Sequence, residues 1–217
     1  MKNELTELVF ILDRSGSMHG LEADTVGGFN AMMEKQQREP GRACVSVVLF
    51  DDGSEVICDR QDLRGMRPMR QEDYQPGGCT ALLDAMGGAI RHISIIHRYA
   101  RPEDRPGQTL FVIITDGQEN ASRHYTYARV REMVEHQQEK HGWEFIFLGA
   151  GIDAIGEAAR FGINADHAAR YVSDHAGTAL NYEVLDEAVS CARACRPLDT
   201  AVLDRIRDDC EKREKKH

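Results

Sequence analysis

Long apolar runs are missing from this 217-residue sequence. The two longest, Leu8–Leu12 and Leu110–Ile114, are five residues each, far short of the 18 or more that a membrane-spanning helix needs. Nothing reads as a signal peptide, because Glu4 and Glu7 lie ahead of or within the first apolar stretch and Asp13 ends it. C-x-x-C pairs are absent too. The six cysteines (44, 58, 79, 191, 195 and 210) lack the density of a disulfide framework, so reduced thiols and a soluble, cytoplasmic setting are expected. Cys191 and Cys195, four apart on an expected helix, read as small hydrophobes on a buried face. Lysine is scarce, at positions 2, 35, 140, 212, 215 and 216, and none falls in the loops that matter below. The net charge of −9 argues against a broad nucleic-acid-binding surface.

What is present is an alternation of short apolar strands with helical patterns. Residues 7–12, 43–50, 109–115 and 143–149 read as strands that are apolar throughout, which indicates burial on both faces. Asp51-Asp52-Gly53 reads as a tight turn into 54–59, making the third strand antiparallel to the second. A weak strand is expected near 167–172. Helices are expected at 21–38, 81–99, 126–140, 153–161, 178–195 and 199–213, with an irregular stretch at 60–78 and a frayed, charged tail. The pattern is that of an α/β fold: a mostly parallel, doubly wound sheet with helices on both faces. The expected division is one domain over 1–198 and a helical extension with a charged tail over 199–217.

In such sheets ligands gather at the carboxyl ends of strands. The first strand ends in Asp13-Arg14-Ser15-Gly16-Ser17, and the fourth in Thr115-Asp116-Gly117. Between them, "GGCTALLDA" (77–85) sets Thr80 at the start of a helix behind two glycines. Each residue has an ordinary local use: Asp13, Ser15 and Thr80 can cap helices, and Asp116-Gly117 can be a turn. Together they offer two carboxylates and three hydroxyls at adjacent strand ends. That donor set is hard, all-oxygen and of charge −2, which suits Mg²⁺ (with Mn²⁺ or Ca²⁺ as substitutes) and disfavours zinc.

The segments "FILDRSGSM", "GGCTALLDA" and "FVIITDGQEN", in that order, resemble the von Willebrand factor A domain and its metal-ion-dependent adhesion site. "FIFLGAGIDA" (145–154) is similar to the fifth-strand segment of small bacterial members, and the likeness covers roughly 5–195. The resemblance implies a six-stranded sheet in the order 3-2-1-4-5-6. It implies direct or water-mediated metal ligation by Asp13, Ser15, Ser17, Thr80 and Asp116. It also implies a binding role, in which another protein supplies an Asp or Glu to the metal, and no enzymatic activity. Arg14, Met18, His19, Glu119, Asn120 and Ser122 are expected to form the rim that contacts such a partner, because they neighbour the ligands in loops.

The main alternative is a Mg²⁺-dependent phosphoester hydrolase using the same aspartates. Phosphatases of that kind carry a second Asp two residues after the first, where this chain has Ser15. Gly149-Ala150-Gly151 begins a dinucleotide fingerprint that Ala154 leaves incomplete. Around Ser17 the nucleophile elbow of serine hydrolases is lacking. His92/His97 and His136/His141 are expected to be solvated or half-buried, and Arg60, Arg64, Arg67 and Arg70 to form an ion-paired surface.

Overall fold

The computed structural model describes residues 4–196, 198 and 200–215. Six strands form one sheet: β1 (Leu5–Asp13), β2 (Arg42–Phe50), β3 (Ser54–Asp62), β4 (Gln108–Thr115), β5 (Glu144–Ala150) and β6 (Ala168–Tyr171). Their order is β3-β2-β1-β4-β5-β6, and every pairing is parallel except that of β2 with β3. Among the described residues, four α-helices connect the strands, α1 (Glu22–Arg38), α2 (Leu82–Tyr99), α3 (Tyr127–His141) and α4 (Ala154–Arg160), and two follow β6, α5 (His175–Arg193) and α6 (Asp204–Glu214). The doubly wound α/β architecture expected from the pattern is the one observed.

Alternation along β1 divides the core. Leu8, Phe10 and Leu12 join one apolar cluster with Phe29 and Met32 of α1, Leu185 and Val189 of α5, and Ile206 of α6. Val9 and Ile11 point the other way, into a cluster with Met86 and Ile90 of α2, Val130 and Val134 of α3, and Ala158 of α4. Every residue of β1 is buried, which is why its sequence is apolar rather than alternating. The exceptions, Thr6, Glu7 and Asp13, are polar groups that need partners.

Several local expectations change. α5 starts at His175, earlier than expected, because the Asp174 carboxylate accepts the Gly177 N–H at 2.8 Å and caps it. It ends at Arg193, and Cys195 lies beyond it with φ +51°, so Cys191 and Cys195 do not share a helical face. Cys195 is exposed and Cys191 half-buried, not a buried pair. All six cysteines are free thiols. The C-terminal segment packs onto the domain: Leu203 and Ile206 are buried, and the Arg207 guanidinium donates to the carbonyls of Ala165, Asp166 and Ala168. α6 continues to Glu214 in place of a frayed end, while the last residues of the charged tail, Lys216 and His217, lie outside the described residues.

Arg60 is half-buried, and its ion pair is made with a core carboxylate and not across an open surface. The β2–β3 ladder is irregular between Val45 and Val48, and Arg60 adopts φ +46° with its N–H on Ser46 Oγ. This bend turns its guanidinium onto Glu7 at 2.8 Å, a carboxylate fully buried in β1.

Candidate metal centre

Three loops meet at the carboxyl ends of β1 and β4. The first follows Asp13, whose Oδ1 accepts the Ser15 N–H at 2.7 Å and folds the chain into a single 3₁₀ turn, Gly16–Met18. The second is laced to the first by two backbone hydrogen bonds, Gly16 N–H to Gly78 O and Gly77 N–H to Arg14 O. Gly78 is left-handed at φ +70°, and a Cβ there would lie 2.5 Å from the Asp52 carboxylate, which accepts the Cys79 N–H. The β2–β3 turn thus anchors the second loop.

The third loop carries Asp116 and Gly117. A Cβ on Gly117 would stand 2.8 Å from Thr80 Oγ1 and 3.7 Å from Ser17 Oγ, so glycine lets all three loops close on one point. There, Ser15 Oγ and Ser17 Oγ are 3.0 Å apart, and the Ser17 hydroxyl donates to Asp116 Oδ1. Thr115 Oγ1 donates to Asp13 Oδ2 at 2.6 Å. Asp13, Ser15, Ser17, Thr80 and Asp116 are therefore drawn to one edge of the sheet. Asp13, Ser15 and Thr80 are buried, whereas Ser17 is exposed and Asp116 half-buried, so the cluster opens toward solvent on the Ser17–Asp116 side.

The electrostatics are unbalanced. Burial raises the pKa of Asp13 above its ordinary value, with hydrogen bonds from Thr115 and Ser15 opposing and the Asp116 charge adding to the rise. Burial raises Asp116 too, against hydrogen bonds from Ser17 and Ser173. The nearest arginine in sequence does not answer this charge: the Arg14 guanidinium turns away to Asp51 and Glu55, at 2.9 and 2.8 Å. Two carboxylates that burial penalises and three hydroxyls, with no counter-cation paired to them among the described residues, are a donor set that fits a hard divalent ion. Among the described residues, no group of three His, Cys, Asp or Glu side chains forms a softer metal site.

One residue of the expected rim needs correcting. Met18 is 3% exposed and belongs to the core, because the 3₁₀ turn rotates it inward. Glu119, Asn120 and Ser122 act as braces. Asn120 Oδ1 accepts the Thr80 N–H at 2.9 Å, and its own N–H returns to Thr80 O. Glu119 accepts from the N–H groups of Leu83, Ala121 and Ser122 and from the Ser122 hydroxyl. Arg14 is tied down as described, and of the named rim residues His19 and Asn120 are exposed.

Three participants were not singled out from sequence. Tyr74, buried within the stretch expected to be irregular, donates its hydroxyl to Asp13 O. Ser173, in the loop after β6, reaches Asp116 Oδ2 at 3.3 Å. Asp84 accepts three backbone N–H groups, from Arg123, His124 and Tyr125; these outweigh burial and lower its pKa. Ser173 was findable, since its loop also follows a strand of the same parallel sheet. Tyr74 was not, because only the folded loop carries it to β1.

No protein-family model and no curated protein matches the sequence. Solved structures do match the fold. A von Willebrand factor type A protein from Catenulispora acidiphila superposes with a TM-score of 0.55 at 18% identity, over 86% of this chain and 42% of that one. The fold is von Willebrand factor A-like. Proximal thread matrix protein 1 from the mussel byssus, in a form with zinc occupying its MIDAS motif, gives a TM-score of 0.58 at 15% identity over 88% and 47% of the two chains. The ArnB paralog VWA2 from Sulfolobus acidocaldarius gives 0.52 at 16% identity, over 86% and 45%. The chain spans about half the length of these structures. No helix among its described residues is long and apolar enough to cross a membrane.

Proposed function

We propose that this chain is a metal-dependent protein-interaction module and not an enzyme. Its five oxygen donors, Asp13, Ser15, Ser17, Thr80 and Asp116, would hold Mg²⁺, with Mn²⁺ or Ca²⁺ as substitutes. The observation that carries this reading is the pair of burial-penalised carboxylates converging with three hydroxyls, where no cation among the described residues pairs with them. A bound divalent ion supplies an electrophilic site for one further anionic oxygen. The chain's residues do the rest. Asp13 provides charge from within the sheet, Thr115 and the Ser15 N–H hold its carboxylate in orientation, and Asn120 fixes the loop that presents Thr80. Ser17 and Asp116 face solvent, so the approach for a partner's Asp or Glu is on their side. Mostly neutral hydroxyl donors leave the ion attractive to that carboxylate. The zinc-occupied motif of the mussel protein supports metal binding in this fold. Free thiols throughout suit the reducing cytoplasm we assign to it.

Mg²⁺ calorimetry tests the site. Wild type binds one ion, and Asp13→Asn, whose Oδ1 still accepts the Ser15 N–H while its Nδ2 donates to Thr115 Oγ1 in place of accepting from it, shows no heat. At a free concentration 100 times Kd, the ion raises wild-type stability by about 2.7 kcal/mol and the variant's by nothing. Equal responses in both proteins overturn the proposal. Turnover of p-nitrophenyl phosphate that Asp13→Asn abolishes would favour a hydrolase instead.

A further inference from the structure

A small cavity lies between the end of β1, the first turn of α1 and the start of α5. Its polar lining comes from Asp13, Thr25, Thr178 and Asn181, and Leu12, Met18 and Ile114 are among its apolar walls. It leaves about 10 Å³ for the centre of a water molecule, room for one and too little for a second.

The polar atoms around it are unusual in being unpaired. Thr25 is 3% exposed, Thr178 5% and Asn181 1%. Thr25 Oγ1, Thr178 Oγ1 and Asn181 Oδ1 have no hydrogen-bond partner among the described residues. A hydroxyl on a helix can turn back to the carbonyl four residues earlier. Ser94 does so, onto Ile90 O at 2.6 Å, and so does Ser190, onto Asp186 O at 2.9 Å. The two threonines leave that option unused. The Tyr74 hydroxyl beside Thr25 is committed to Asp13 O. Asn181 follows Thr178 by three residues, so both lie on one side of α5. Three unpaired buried atoms converging from two helices are costly unless something satisfies them together.

A single water molecule balances this set. Its two protons go to Asn181 Oδ1 and to the Asp13 carboxylate, which has lone pairs to spare beyond the two bonds it already accepts. Its two lone pairs accept from the Thr25 and Thr178 hydroxyls. A cation in the same place would leave both hydroxyl protons without an acceptor.

We propose that one enclosed water molecule occupies this cavity and bridges Asp13 to Thr25 on α1 and to Thr178 and Asn181 on α5. Thr178 and Asn181 are thereby positioning residues for the strand-end centre, acting on the Asp13 carboxylate through the water. Only the consequence for Mg²⁺ rests on the function proposed above.

The test begins in EDTA. A high-resolution crystal structure of wild type shows one water within hydrogen-bonding distance of Thr25 Oγ1, Thr178 Oγ1 and Asn181 Oδ1. Oxygen-17 relaxation dispersion, which counts water molecules held inside a protein, falls by one in Asn181→Leu, where a methyl replaces the acceptor. The Ser15 amide resonance, which reports its bond to Asp13 Oδ1, moves in Asn181→Leu and in Thr178→Val. The second variant keeps the shape of the side chain and serves where the first fails to fold. Mg²⁺ affinity falls at least about tenfold in both. Ser190→Ala, roughly 18 Å further along α5 at about 1.5 Å per residue, lowers the urea midpoint but leaves the Ser15 resonance and the Mg²⁺ affinity unchanged.

No water at the three atoms, an unchanged water count or an unmoved Ser15 resonance overturns the proposal. So does a loss of Mg²⁺ affinity that Ser190→Ala shares, which would trace it to general destabilisation. Stabilisation of wild type by sodium chloride over choline chloride, absent in Asn181→Leu, would make the occupant a sodium ion and overturns it as well. Wild type that binds no Mg²⁺, with the water and the Ser15 shift both found, refutes the metal reading and leaves this one standing.

Discussion

Strand β1 carries a buried carboxylate near each end, and the two are treated differently. Glu7, at the amino end, is fully buried and meets the Arg60 guanidinium, Nε at 2.8 Å, and the His97 ring, Nε2 at 3.2 Å. Asp13, at the carboxyl end, is 1% exposed and receives hydrogen bonds from the neutral groups of Ser15 and Thr115. The arginine beside it is engaged elsewhere, by Asp51 and Glu55. A structural carboxylate is compensated within the fold, whereas one that is left uncompensated among oxygen donors is available to an external cation. The same strand thus separates a charge that is paired within the fold from one that, on the proposed reading, a bound cation would offset.

The comparison can be broken experimentally, and the largest effect is expected at the amino end. Glu7→Ala should cost about 3 kcal/mol in urea unfolding, since it strands Arg60 and His97 against a buried strand. A loss below about 1 kcal/mol would mean that Glu7 and Asp13 are not different in kind. Its Mg²⁺ response, measured on the folded fraction, should match wild type. Next is Gly78→Ala, expected to cost about 1–2 kcal/mol, because the residue is left-handed and its new methyl would press on the Asp52 carboxylate. Mg²⁺ affinity should fall with it, as Thr80 is carried by that loop. Asn120→Ala should cost about 1 kcal/mol through the lost hydrogen bond to the Thr80 N–H. If Asn120 were a partner-contacting residue alone, thermal stability and Mg²⁺ affinity would both be unchanged.

The smallest effect is a pH trend. Asp13 and Asp116 both have folded-state pKa values raised by burial, so at these two positions the metal-free fold binds more protons than the unfolded chain. Their contribution to stability is therefore greatest below an ordinary aspartate pKa of about 3.9 and declines as pH rises through the raised values. Urea midpoints against pH in EDTA should show this decline, Asp13→Asn should flatten it, and saturating Mg²⁺ should offset it. A profile that Asp13→Asn leaves unchanged would show that Asp13 carries no such cost.

Much of the fold was legible because burial on both faces leaves a direct imprint on sequence: β1, β2, β4 and β5 are apolar without alternation. Edges were harder to read. β3 runs on to Asp62, further than its apolar pattern, because an edge strand needs only one neighbour and buries little. At the candidate site, the five oxygen donors were named from strand-end position and residue type. Of the expected rim, Met18 departs from its expected place, because sequence proximity to a strand-end loop does not say which way a side chain turns. Met18 turns into the core, and Glu119 and Ser122 fold back onto their own loop and the start of α2.

The sequence by itself determined the class of the fold and which oxygen-bearing side chains stand at its strand ends, since periodicity and residue type are local properties. Only the tertiary structure decided which charges cancel. Arg60 reaches Glu7 through an irregular strand, and Arg14 forsakes Asp13 for a hairpin 37 residues away. Compensation of charge depends on distances through space that spacing along the chain does not encode.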